Sequence, residues 1–247
     1  MSPRFAYQGC ELATFAQARH WKQYLAEQLR PYIQGRVLEV GAGLGSMTRT
    51  LRCGVDSSWT CVEPDAELAA NLRQTAQHGS CGDPQTLHVV VGSVADVAKN
   101  ALFDTILYID VLEHIEQDQE ELAHAARLLA PNGHLVVLSP AHRALYSAFD
   151  QAVGHFRRYS RRTLRNAGPA NLRLVRLRYL DCVGLFASLA NRLLLKSPSP
   201  TASLIKVWDS LMVPISRWFD PLLLFWFGKS VLAVWHDACT QEAESLH

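Results

Sequence analysis

The sequence predicts an α/β protein built around a mostly parallel sheet, and two observations point to it. Between about residues 36 and 140, short apolar runs alternate with stretches of helical periodicity, the pattern that strand-helix-strand crossovers impose. One of those runs, Val37-Leu38-Glu39-Val40, passes straight into Gly41-Ala42-Gly43-Leu44-Gly45, a turn suited to feeding a strand into a helix beneath a ligand.

Taken in order, Glu11 to Tyr32 carries Leu12, Phe15, Trp21, Tyr24, Leu25 and Leu29 at helical spacing and stops near Pro31 and Gly35. Residues 1–35 therefore read as a helical cap of one or two helices. Strands follow near 36–40, 59–63, 86–91, 104–109 and 133–138, with helices over roughly 45–53, 65–78 and 117–129. In the last of these, Leu122, Ala125, Ala126 and Leu129 share one face, which is core packing. Asn171 to Leu180 alternates well enough for a sixth strand, and Ser230 to Trp235 reads as a seventh, antiparallel one. Between them, residues 181–227 form an apolar insertion with Leu185, Phe186, Leu189, Leu193, Leu194, Leu195, Pro198, Pro200, Trp208, Trp218 and Leu222 to Phe227. The whole chain, 1–247, reads as one domain: a cofactor-binding core over 36–140 and a substrate-side half over 141–247.

Composition narrows the function. Hydrophobic residues make up 49% and charged residues 19%, as in a globular protein, and a net charge of +1 gives no global attraction to nucleic acid. The six cysteines form no close pair, so reduced, mostly buried thiols are expected. The first residues lack a charged-then-apolar leader pattern, which makes the cytoplasm the expected location. Pro214, Arg217, Asp220, Pro221 and Lys229 interrupt the apolar insertion too often for a membrane span, which needs about 20 apolar residues.

The glycines supply backbone clearance for a nucleotide-like ligand, because a Cβ would block close approach. A dinucleotide fingerprint requires a sixth-position glycine, where this chain has Ser46. A phosphate-binding Walker loop is absent here, and Gly228-Lys229-Ser230 is a chance tripeptide because Leu223 stands where its first glycine belongs. Glu39, just before the turn, repels a pyrophosphate and suits a cationic ligand such as a sulfonium with an amino-acid tail.

The acid followed by alternating glycines resembles the first motif of the class I S-adenosylmethionine-dependent methyltransferases. Cys61-Val62-Glu63-Pro64-Asp65 resembles the end of strand two in that family, Phe103 to His114 its strand four and following loop, and Leu129 to Val137 its turn into strand five. The resemblance implies a Rossmann-like seven-stranded sheet with strand seven antiparallel and a helical insertion between strands six and seven. It implies S-adenosyl-L-methionine as cofactor, with Glu39, Gly41, Gly43 and Gly45 at its aminoacyl end and Glu63 and Pro64 at the ribose. Ser93 and Val94 fall at the adenine, where many members have an acid and Asp96 competes for the role, and Asp110, Val111 and Leu112 fall on the methyl side.

Methyl transfer needs alignment, and a base beside the acceptor assists it. His114 follows strand four at the ligand-binding edge, and His142 follows strand five. His155 stands in Gly154-His155-Phe156-Arg157-Arg158-Tyr159 and, with Tyr146 and Asp150, makes a connection dense in titratable groups. His114, His142, His155 and Tyr146 are the catalytic candidates, with a network that fixes the loop as the other reading. Asp110-Val111-Leu112-Glu113-His114 resembles a segment of ubiquinone-type O-methyltransferases that can hold a divalent cation, but no metal is assigned on this segment alone.

Eight arginines from Arg157 to Arg178 occur without an acid between Gln151 and Leu180. They form a solvated face, or meet an anionic substrate group or membrane surface. The expected partner is a small apolar or amphipathic substrate, not nucleic acid, with the insertion serving as a packed cap, an apolar lid, a peripheral membrane contact or a homodimer surface. Two rival functions are an NAD(P)-dependent oxidoreductase and a nonenzymatic membrane-surface binding protein.

Overall fold

In this computed structural model, the described residues are 11–53, 57–78, 86–98, 100–190, 192 and 201–238. Strands β1 (Arg36–Val40), β2 (Ser58–Glu63), β3 (Leu87–Val91), β4 (Phe103–Ile109), β5 (Leu129–Pro140), β6 (Arg173–Leu180) and β7 (Ser230–His236) form one sheet in the order β3-β2-β1-β4-β5-β7-β6. The pairs among β1 to β5 are parallel, and β7 runs antiparallel to both β5 and β6. The seven-stranded sheet with an antiparallel seventh strand is as the sequence implies.

Alternation along the strands explains the two cores. Leu38, Val40, Ile106, Tyr108, Leu135 and Val137 point to one face, where α5 (Asp118–Arg127) and α7 (Arg161–Ala167) cover them. Val37, Trp59, Leu107, Val136 and Val234 point to the other. There α1 (Glu11–Phe15) and α2 (Arg19–Leu29) lead the chain, and Trp21, Tyr24, Leu25 and Leu29 of α2 are buried. Helices α3 (Ser46–Arg52) and α4 (Ala66–His78) connect β1 to β2 and β2 to β3.

The insertion shares the second face. After α6 (Ala148–Ala152), α7 and β6, it comprises α8 (Cys182–Ala190), α9 (Ala202–Val207), a π-helical turn (Trp208–Met212) and α10 (Val213–Leu222). Ile205, Trp208 and Val213 bury into the core formed by α2 and the sheet, as a packed cap requires. The π turn has a local cause. Pro214 has no N–H and its ring crowds the carbonyl four residues earlier, so the helix widens and the Val213 N–H reaches back to the Trp208 carbonyl. Leu193, Leu194, Leu195, Pro198 and Pro200 lie outside the described residues.

Two expectations change. The segment Pro131-Asn132-Gly133, which resembles a turn, lies inside a longer β5: the Asn132 N–H donates to the Asp237 carbonyl and the Gly133 carbonyl accepts from Asp237, both at 3.0 Å. Asn132 tolerates the left-handed conformation (φ 63°) that this requires. The thiols are also not all reduced. Cys61 and Cys182 are free and buried, but Cys53 is disulfide-bonded. Sequence spacing reveals only closely spaced cysteine pairs, and Cys53 belongs to none. Among the described residues, no helix is long and apolar enough to cross a membrane.

Candidate active site

Each glycine of the turn after β1 has its own physical reason. All three adopt left-handed φ values of 67°, 54° and 66°. A Cβ on Gly41 would stand 2.5 Å from Val111 Cγ2, and one on Gly45 would stand 2.2 Å from Leu72 Cδ1. Gly41 thus admits the loop after β4, and Gly45 admits α4. A Cβ on Gly43 would meet only Leu12 Cδ2, at 3.9 Å, so this backbone lies open, as a nucleotide-like cofactor requires.

The two glutamates are buried and occupied. Glu63 Oε2 accepts from the Gly43 N–H at 2.8 Å and Oε1 from the Asp65 N–H at 3.0 Å, so this side chain clasps the glycine turn to the end of β2. Burial raises its carboxyl above the ordinary range, against the pull of those two bonds. Glu39, 3% exposed, accepts from Trp59 Nε1 at 2.8 Å. Its carboxyl is pushed up to about 7, first by burial. Pro64 is exposed beside Glu63. Ser93 donates through both its N–H (2.8 Å) and its hydroxyl (2.9 Å) to Asp96 Oδ2, which commits Asp96 to capping a short turn, while the Val94 side chain is fully buried.

At the end of β4 the chain turns through Asp110, whose left-handed φ of 53° aims it out of the strand. Asp110 reaches solvent, yet the protein mass around it limits its hydration and raises its carboxyl to about 6. Val111 packs over Gly41, and Leu112 is fully buried. Glu113 is also fully buried, with no hydrogen bond of normal geometry to either carboxyl oxygen. Burial and the neighbouring Asp110 charge hold its carboxyl well above the usual range, and Ser139 comes close enough to oppose this without completing a bond. His114 is pushed down to about 4, by burial and then by His155.

The loop from His142 to Tyr159 divides its candidates. His155 meets His114 edge-on, with ring centroids 4.5 Å apart, and its Nε2 lies 3.9 Å from Glu113 Oε1. Its Nδ1 is 2.9 Å from Asp150 Oδ1. Asp150 is fully buried and also accepts from Arg158 Nε at 2.8 Å and from the Ser147 N–H and hydroxyl at 2.9 Å. These bonds hold the Asp150 carboxyl well below its ordinary range in spite of burial. His142 and Tyr146 are engaged elsewhere. His142 Nε2 lies 2.9 Å from the Gly228 carbonyl and its ring stacks on Tyr179, whereas the Tyr146 hydroxyl donates to the His155 carbonyl at 2.6 Å. The structure therefore brings together His114, His155, Glu113 and Asp150.

The arginine run is not one solvated face. Arg157 pairs with Asp118 at 2.9 Å, Arg158 with Asp150, and Arg161 lies over the Tyr179 and Trp226 rings. The supposed chance tripeptide is structural too. A Cβ on Gly228 would strike the Leu180 backbone at 2.2 Å, and Lys229 Nζ lies 4.4 Å over the Trp208 ring, where burial lowers its pKa. Glycine followed by lysine carries no sequence signal for this role, because its partners are more than 20 residues away.

An open glycine turn at the carboxyl end of the parallel strands, abutting a loop that delivers titratable groups, is the arrangement of a ligand-binding protein of the Rossmann-like class. The chain belongs to the methyltransferase-domain family, whose model matches residues 12–172. It is 31% identical over 131 residues to the demethylmenaquinone methyltransferase of Tropheryma whipplei (strain Twist), a match covering 52% of this chain and 52% of that one. The chain thus spans about half the length of this curated relative. Among solved structures, a geranyl diphosphate methyltransferase in complex with S-adenosylmethionine aligns with a TM-score of 0.62, at 13% identity, over 92% of this chain and 90% of that one. The N-methyltransferase NodS from Bradyrhizobium japonicum WM9, in complex with S-adenosyl-L-homocysteine, aligns with a TM-score of 0.55, at 18% identity, over 88% and 85%. These two likenesses show the fold. The chain thus carries a methyltransferase domain, and the oxidoreductase reading is set aside.

Proposed function

We propose that the protein transfers a methyl group from S-adenosylmethionine to an oxygen, nitrogen or carbon atom of a small apolar or amphipathic molecule. The observation that carries this reading is one line of contact: Gly41 touches the Val111 loop, and that loop carries Glu113 and His114 against His155. Cofactor turn and titratable cluster are therefore neighbours. When bound, the cofactor supplies an electrophilic methyl group on a sulfonium.

In this reading Glu39 and the glycine turn hold the aminoacyl end, and Glu63 with Pro64 the ribose. Ser93 and Val94 border the adenine, and Asp110, Val111 and Leu112 the methyl side. His155 is the base. If its Nδ1–H is donated to Asp150, Nε2 is left to accept a proton from the methyl acceptor, and Asp150 stabilises the resulting imidazolium. His114, with its pKa lowered to about 4, stays neutral at pH 7 and shapes the pocket. His142 and Tyr146 support the loop.

Calorimetry with S-adenosylmethionine, followed by transfer of labelled methyl groups to a panel of phenols, amines and isoprenoid lipids, tests the reading. Absence of cofactor binding would sink it. His155→Gln should lower kcat about 10²- to 10⁴-fold at unchanged cofactor affinity, and a parallel loss of affinity would make His155 a scaffold residue.

One observation favours a second reading of the same reaction. Glu113, His114 and His155 place three atoms able to ligate a cation within 4.8 Å of one another, with His155 in place of Asp110 from the motif. A carboxylate with two imidazoles suits a borderline divalent ion. Activity lost on chelation and restored by one such ion would replace the base role of His155 with a ligand role.

A further inference from the structure

From Ala202 to Leu222, α9, the π turn and α10 form one helical run with two unlike faces. Ile205, Trp208, Asp209, Val213, Ser216 and Asp220 face inward and are buried. Leu204, Val207, Leu211, Ile215, Trp218 and Leu222, spaced three or four residues apart, face outward. Trp218 is 78% exposed and Leu222 75%, and the turn that follows adds Leu224 at 73% and Trp226 at 60%. A continuous apolar stripe of this kind marks an interaction surface.

Charge selects what covers it. The run's two acids are turned inward: Asp209 accepts from the Trp21 N–H at 2.9 Å, and Asp220 from the Tyr24 hydroxyl at 2.6 Å and the Asp181 N–H at 2.7 Å. The exposed charges of the run are the cations Lys206 and Arg217, the latter also meeting Glu27 at 2.8 Å. Where the stripe ends, the Arg161 guanidinium lies 5.4 Å over the Trp226 ring, and that of Arg178 lies 4.7 Å over the Phe225 ring. Outward indoles and aliphatic side chains flanked by cations match the two layers of a bilayer surface, acyl chains below and anionic headgroups above. A two-fold contact with a second copy would bring the same cations together, with no exposed acid of this run to meet them.

We propose that this face docks peripherally on an anionic lipid bilayer. The protein carries its own reporters. Of its six tryptophans, Trp21, Trp59, Trp208 and Trp235 are buried, so a quencher in the lipid phase reads Trp218 and Trp226. The intact chain should float with phosphatidylglycerol/phosphatidylcholine vesicles and not with phosphatidylcholine alone, release at high salt, and lose tryptophan emission when the anionic vesicles contain brominated acyl chains. Trp218→Ser combined with Trp226→Ser should weaken partitioning about tenfold or more. Lys206→Glu with Arg217→Glu should erase the preference for anionic lipid. Unchanged S-adenosylmethionine binding in each variant confirms folding and keeps this test separate from the methyl-transfer reading. The proposal is overturned if the chain does not float with anionic vesicles, or if flotation ignores the tryptophan pair. Concentration-dependent dimerisation abolished by that pair would assign the face to a second copy and equally overturn it.

Discussion

The glycine turn after β1 and the loop from His142 to Tyr159 both border the candidate site, but they are held in opposite ways. The turn is a backbone object. Its shape follows from three left-handed glycines, with one carboxylate, Glu63, hooked to the Gly43 N–H. The loop is a side-chain object. Asp150 collects His155, Arg158 and Ser147 at one buried carboxylate, and Tyr159 reaches Asp118 through its hydroxyl at 2.6 Å. A backbone-built turn depends on conformation and clearance, whereas the loop depends on side-chain bonds, three partners of which meet at the single carboxylate of Asp150. The two halves should therefore fail differently when mutated.

The largest effect is expected at the hub of the loop. Asp150→Ala leaves the partly buried Arg158 without its carboxylate and His155 without its orienting partner, and should cost up to about 3 kcal/mol in denaturant unfolding at neutral pH. A cost below about 1 kcal/mol would mean that the network is held by its surroundings, and the contrast with the turn would dissolve. Next comes Glu39. Because its folded pKa of about 7 lies above the ordinary 4.5, the folded protein keeps a proton that the unfolded chain releases across that window. Stability should fall as pH rises from 4.5 to about 7, by about 3 kcal/mol for this group, an order-of-magnitude figure. Glu39→Gln retains an oxygen for Trp59 Nε1, so thermal melts across that range should show a flatter profile.

Smaller effects sharpen the comparison on the cofactor side. Glu63→Ala unhooks the Gly43 and Asp65 N–H groups and should weaken S-adenosylmethionine binding by about 1 to 3 kcal/mol, read by calorimetry. Gly43→Ala meets open space, so its stability cost should be limited to about 1 to 2 kcal/mol from the left-handed backbone. Its larger consequence should be lost cofactor affinity in a protein that still unfolds cooperatively. If folding and binding decline together at this position, Gly43 is as structural as Gly41 and Gly45.

The same contrast explains what could be read from the chain. Strands β1, β2 and β4 were legible because each is an apolar run bounded by polar or glycine residues. The turn was legible because its chemistry is written in consecutive positions. Glu63 was identifiable as an acid at the end of β2, but its clasp on Gly43 spans 20 residues and leaves no local mark. The loop's density of titratable groups was visible, yet nothing in the order of residues says that His155 would meet Glu113 and His114 while His142 turned to Gly228. Pro131-Asn132-Gly133 has the composition of a turn, and only its pairing with Asp237 reveals a strand. Local chemistry is readable where neighbours in sequence are neighbours in space, and the titratable cluster of the candidate site is assembled from segments that are not.

The position of β7 has a consequence for how the molecule is made. It lies between β5 and β6, although it is the last of the seven to be synthesised. Until Ser230–His236 emerges, β5 presents an open edge along Leu135 to Leu138, and β6 has no strand to join. A ribosome that stalled shortly before Ser230 would release a chain lacking two strands of the sheet, with an apolar edge ready to pair with whatever strand came first. Closing the sheet therefore waits for β7, the last of these seven strands to emerge, and the β5 edge stays open until β7 pairs with it.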